Sequence, residues 1–152
     1  MKNKYLLPVI LLGSFTLFFS SCKEDPIEPD AEVEEEVITT LTFTLAPTNN
    51  ASAPTVTMQF KDLDGDGGNA PIITGGELAD STTYTGSLTL LNEAETPAED
   101  ITAEIREEDK EHQFFFQTDI EGLSVDYTDQ DPDGNPIGLS TTLKTVQANS
   151  GN

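Results

Sequence analysis

The chain has 152 residues, of which 28 are acidic and 7 basic, for a formal charge of −21 at pH 7. So negative a chain argues against binding to nucleic acid or to anionic headgroups and allows a cationic partner or a metal ion, the alternative being a surface charged for solubility alone. A single cysteine excludes an internal disulfide, and the length suits one small domain held by core packing.

Lys2 and Lys4 precede an apolar run from Tyr5 to Phe19, and Ser20-Ser21-Cys22 follows. A positive start, a short apolar core and small residues before a cleavage point make a secretory signal, and the run is short for a membrane span. Cys22 directly after the small residues is the lipobox arrangement, with Phe19 where leucine is usual. In this reading the thiol accepts a diacylglycerol, cleavage makes Cys22 the first residue, and lipid holds the protein on a membrane. The alternative is a plain signal peptide followed by an unpaired thiol, a liability in an oxidising compartment. Residues 1–21 are thus assigned to the signal, 22–36 to the lipidated cysteine and its tether, and 37–152 to the folded domain. Loss of Lys2 and Lys4 with the signal leaves five basic residues against 28 acidic, a charge of −23. From Lys23 to Glu36 the sequence reads KEDPIEPDAEVEEE. Its prolines favour extended backbone and its acids repel one another, which predicts a disordered tether.

Apolar residues then recur with period two. Val37, Leu41, Phe43 and Leu45 share a face, as do Val56, Met58 and Phe60, then Tyr84, Gly86, Leu88 and Leu90, then Leu123, Val125 and Tyr127, and less cleanly Leu139, Thr141 and Leu143. Phe114-Phe115-Phe116 reads as a strand covered on both faces. These six segments, rich in threonine, valine and aromatics, predict a mostly β domain built as an antiparallel, Ig-like β-sandwich. One surface helix interrupts them. Thr96 is placed as its cap, Pro97 as its first residue and Glu99 to bond back to the cap, with Ile101 and Ile105 at helical spacing, which predicts a helix from Pro97 to Lys110. The closing ANSGN reads as a turn before a further strand, so a missing C-terminal strand or an open sheet edge is expected.

Two loops repeat one pattern. Asp62, Asp64 and Asp66 alternate before Gly67, and Asp129, Asp131 and Asp133 alternate before Gly134, each after a strand carrying an aromatic near its end. Alternate carboxylates in a curling loop are suited to Ca²⁺, which takes several oxygens at once. The bidentate glutamate of an EF-hand is absent, its place taken by Ile73 and Ser140. Affinity on the order of 10⁻⁴–10⁻³ M is expected of such incomplete sites. The alternative is turn chemistry, in which aspartates cap their own backbone. A helix long enough to cross the sheet would bring both loops to one end, whereas a helix that only caps the sheet would leave them at opposite ends.

Glu104, Glu107, Glu108 and Glu111 crowd one helical face, and His112 stands one turn after Glu108. Glu108 and His112 form an alternative metal pair, of the zinc type. His112 with Met58 is a conceivable haem pair, but Met58 falls on the expected core face. No Gly-x-Ser-x-Gly, phosphate loop or His-Glu-x-x-His is present, so a non-enzymatic protein is expected.

The lipobox start together with VITTLTFTL, DLDGDGGNAP, GSLTLLNEAETPAEDI, EHQFFFQ and DQDPDGNPIGL resembles a family of small, largely uncharacterised Bacteroidetes-type lipoproteins. The resemblance covers most of the mature chain. It implies an outer-membrane lipoprotein, often associated with TonB-dependent uptake receptors, with no established reaction. Relatives usually continue with a further strand pair, from which this chain departs. Some carry the label type 1 periplasmic binding fold, which needs a longer alternation of strands and helices than this chain holds. The acidic run after Cys22 also resembles a surface-export signal, which would turn the domain outward. The expected function is a binding or accessory component for nutrient or metal uptake at the outer membrane. A structural or adhesive surface module with calcium-stiffened loops is the alternative.

Overall fold

A computed structural model describes residues 36–65 and 67–147; the expectations for residues 1–35, Cys22 included, and for Asp66 lie outside the described residues. Six strands make one antiparallel sheet: β1 (Thr40–Pro47), β2 (Val56–Lys61), β3 (Ile72–Thr74), β4 (Thr83–Leu91), β5 (Ser124–Tyr127) and β6 (Ser140–Lys144), in the order β3-β2-β1-β4-β6-β5. With one helix, α1 (Ile101–Glu107), the domain is mostly β.

The register explains why. Leu41 lies opposite Phe60 and Leu90, Phe43 opposite Met58 and Leu88, and Leu45 opposite Val56 and Gly86. Tyr84 and Val125 both face Leu143 across the ladder. Period two therefore places every apolar set on one face and leaves a threonine- and serine-rich face toward water. The apolar face carries two clusters. Leu88, Leu90, Ile101, Ile105, Ile137 and Leu139 form one, with Phe114 and Phe116 against it; Leu45, Val56, Tyr84 and Leu143 form the other. The layering is sandwich-like, but among the described residues the second layer is α1 and irregular chain.

Three local expectations are corrected. The helix starts at Ile101 under an Asp100 cap, whose carboxylate accepts from the Ala103 N–H at 3.3 Å, and not at Pro97 under Thr96. Asn92 and Glu99 pair their backbones at 3.1 Å in both directions, which holds the intervening residues out of a helix. The helix ends at Glu107, short of Lys110. Glu107, Glu108 and Asp109 place negative charge where the carbonyl end of the dipole is already negative, and so oppose its extension.

Phe114–Phe116 forms no strand. Phe114 donates one backbone bond to the Ile137 carbonyl at 2.7 Å. Its side chain and that of Phe116 point into the core while Phe115 is 80% exposed, an alternation in place of two covered faces. The third correction is an addition: β3 supplies a strand where only loop was expected. It is three residues long, exposed, and borders β2 at the sheet edge.

The direction of β5 follows from the pairings. β2 and β4 each run antiparallel to β1, and β6 runs antiparallel to both β4 and β5. β5 therefore runs the same way as β2, and the acidic loops that follow them emerge at the same end of the sheet. β1 also begins at that end, since Thr40 faces Lys61 and Leu91.

Candidate functional site

The two acidic loops share an end of the sheet but not a site. β2 and β5 stand four strand spacings apart, roughly 19 Å at about 4.8 Å per strand. A single ion therefore cannot bridge them.

In the second loop the carboxylates are occupied by the protein. Asp129 accepts from the Gly138 N–H through one oxygen and from the Ser140 N–H through the other, both at 2.9 Å. Asp131 accepts from the Asp133 and Asn135 N–H groups at 2.9 and 2.8 Å, and from the Asn135 side-chain amide at 2.9 Å. The Asn135 side chain holds the Asp131 carboxyl below the ordinary carboxylate range, against the effect of its burial, and the backbone amides add to this. Asp133 pairs with Lys110 at 2.8 Å. The sequence Asp-x-Asp-x-Asp-Gly thus works here as turn chemistry, aided by Gly134 at a φ of +90°.

The first loop is more open. Asp62 accepts from the Gly65 N–H through one oxygen at 3.0 Å. Asp64 accepts from the Asn69 backbone and side-chain amides through one oxygen, at 2.9 and 2.7 Å. The second oxygen of Asp62 accepts no backbone hydrogen bond among the described residues, and the Asp64 carboxylate also faces its own backbone N–H and the Asp62 side chain. The Asn69 backbone amide, then its side chain, holds the Asp64 carboxyl below its ordinary range, so it stays ionised. Gly65 and Gly67 take positive φ values, 66° and 90°, that a side chain would resist.

A third group gathers elsewhere. Ligand atoms of Glu36, Glu108 and His112 lie within 4.8 Å of one another, the one such trio of histidine, cysteine or acidic side chains among the described residues. His112 Nε2 is 3.0 Å from a Glu36 carboxylate oxygen, and its Nδ1 is 3.2 Å from the Glu108 carbonyl. The His112 and Glu36 side chains are each 22% exposed, while Glu108 is exposed. Beside them, burial and the charges of Glu99, Glu36 and Glu108 push the Glu104 carboxyl up. The expected Glu108–His112 pair is thus brought together. Glu36 is the residue sequence reasoning missed. By sequence it is the last residue of the tether, and no local signal ties it to a histidine 76 positions away.

Met58 lies at the other cluster, where it lines a cavity of about 490 Å³ with Leu78, Ile120, Leu123 and Val146. It takes no part in the His112 group, so these two side chains make no shared haem pocket. Comparison with protein-family models, with characterised proteins and with solved structures found no significant match.

Proposed function

We propose that the chain is a lipid-anchored, non-enzymatic lipoprotein of the outer membrane, of the small Bacteroidetes type, that serves as a binding component beside a TonB-dependent uptake receptor and takes Ca²⁺ weakly at its first acidic loop. The observation that carries the reading is the open set of carboxylates at the first acidic loop. Both acidic loops follow parallel-running strands and leave the same end of the sheet, the end at which β1 begins. Asp62 keeps an oxygen without a backbone hydrogen bond from the described residues there, and the Asp62 and Asp64 carboxylates face each other, an arrangement that a cation would relieve.

The anchor is tested by Cys22→Ser. The parent is expected in the membrane fraction after carbonate washing and the variant in the soluble fraction; a variant that still sediments removes the anchor from the reading. The ion is tested by melting. Ca²⁺ at about ten times a millimolar-range Kd is expected to raise Tm by roughly 5 °C, because only the folded loop binds it. Asp64→Asn is expected to abolish the rise and Asp131→Asn to keep it. A parent whose Tm ignores Ca²⁺ leaves the first loop as a turn.

A structural or adhesive module is the second reading. It is favoured by the second loop, where Asp129 and Asp131 spend both their oxygens on holding their own chain. Co-purification of a TonB-dependent receptor with the full-length protein separates the two: recovery supports the accessory role, and its failure supports the structural one.

A further inference from the structure

The His112 ring is oriented by a group that only accepts. Nδ1 stands 3.2 Å from the Glu108 carbonyl oxygen, so Nδ1 carries the hydrogen of that contact. In the neutral ring the lone pair is then on Nε2. Nε2 faces a carboxylate oxygen of Glu36 at 3.0 Å, lone pair against lone pair. Such a contact needs a cation between or upon the two atoms, either a proton on Nε2 or a metal ion. A ring N–H given to a backbone carbonyl is also the arrangement that orients metal-binding histidines.

The exposed Glu108 carboxylate lies beside this contact, with ligand atoms of all three side chains within 4.8 Å of one another. A single shared proton has no use for a third ligand, whereas a metal ion does. Two ligands about 2.05 Å from a tetrahedral zinc ion stand roughly 3.3 Å apart, close to the Nε2 to oxygen separation here. One imidazole nitrogen and two carboxylates, with a place left for water, suit a borderline divalent ion. They do not suit Ca²⁺, which takes six to eight oxygens, or Mg²⁺, which keeps its water octahedron. Charge points the same way. A 2+ ion balances both carboxylates, whereas a proton leaves one uncompensated.

We propose that Glu36, Glu108 and His112 form a binding site for a zinc-class divalent transition metal, the metal standing where the His112–Glu36 ion pair would otherwise hold a proton. The site is independent of the calcium loop. It has a mechanical consequence, because Glu36 precedes β1 while Glu108 and His112 follow α1. A bound ion fastens the stretch leading into the domain to the far end of the helix.

Isothermal titration of full-length, detergent-solubilised protein with ZnCl₂, with excess Ca²⁺ and Mg²⁺ present, tests it. One equivalent of Zn²⁺ is expected to bind, and Co²⁺ in its place is expected to give the intense visible bands of a tetrahedral site. Glu36→Gln, Glu108→Gln and His112→Ala are each expected to weaken Zn²⁺ by about 10-fold or more. His112→Lys keeps a positive partner for Glu36 but has no imidazole, so it separates an ion pair from a metal site. It is expected to hold its Tm and lose Zn²⁺. Asp64→Asn is expected to bind Zn²⁺ as the parent does, whatever becomes of its Ca²⁺ response. No Zn²⁺ uptake by the parent, or equal uptake by the parent and His112→Lys, overturns the proposal and leaves an imidazolium–carboxylate pair.

Discussion

Ile105→Ala is expected to lower the free energy of unfolding by about 2–5 kcal/mol. Ile105 is 1% exposed and packs with Leu88 and Leu90 of β4 and with Ile101, Ile137 and Leu139. α1 has seven residues, too few to be stable alone, so it is held by what it buries. Its other attachments are Ile101 and Thr102, whose hydroxyl accepts from the Leu90 N–H at 2.8 Å and donates to the Leu90 carbonyl at 3.1 Å. Removing Ile105 takes out one of two aliphatic anchors and leaves a void that a helix tied at Thr102 cannot close. Since Glu108 and His112 follow directly from this helix, Zn²⁺ affinity is expected to fall with stability, although neither ligand is altered. Urea unfolding measures the first effect as a shifted midpoint at unchanged slope. A loss below about 1 kcal/mol would mean that this side chain does not hold the helix.

The second large effect is expected at Gly86, where two tendencies oppose each other. Glycine inside a strand is entropically costly, so alanine would ordinarily gain about 0.5–1 kcal/mol. Here a Cβ would stand 2.8 Å from the Phe43 ring and closer still to the Thr141 hydroxyl. Thr141 is wholly buried, and the Phe43 ring is backed by Phe116 at 5.4 Å between centroids. Overpacking is therefore expected to win, and Gly86→Ala to destabilise by about 1–3 kcal/mol. Gly75→Ala is the control, because a Cβ there meets nothing within 4 Å; it is expected to stay within about 0.5 kcal/mol of the parent. Thr141→Ala in the Gly86→Ala background removes the nearer obstacle and is expected to return part of the loss, which a double-mutant cycle reads as a favourable coupling. If Gly86→Ala melts above the parent, the backbone entropy outweighs the contact and the close approach of β4 to Phe43 is not a constraint.

The sequence by itself determined the β class and most of the sheet. Alternation at Leu41 to Leu45, Val56 to Phe60, Tyr84 to Leu90, Val125 to Tyr127 and Thr141 to Leu143 is a local signal, because successive side chains of a strand must point to opposite faces whatever the partner. The aspartate loops were legible for the same reason: spacing along the chain sets which carboxylates a turn can bring inward. What those carboxylates bind was not legible. Asp131 and Asp62 sit in the same pattern, yet Asp131 is saturated by Asn135 and Asp133 while Asp62 keeps an oxygen without a backbone hydrogen bond among the described residues. Only the fold decides which donors arrive. Helix length was misread because the Asn92–Glu99 backbone pair competes for the cap residues, and the phenylalanine run because one covering layer is irregular chain that buries alternate rings. Glu36 was beyond reach altogether. A carboxylate meets a histidine 76 residues away only after β1, β4 and α1 have packed, and a charge interaction through space leaves no period in the sequence that makes it.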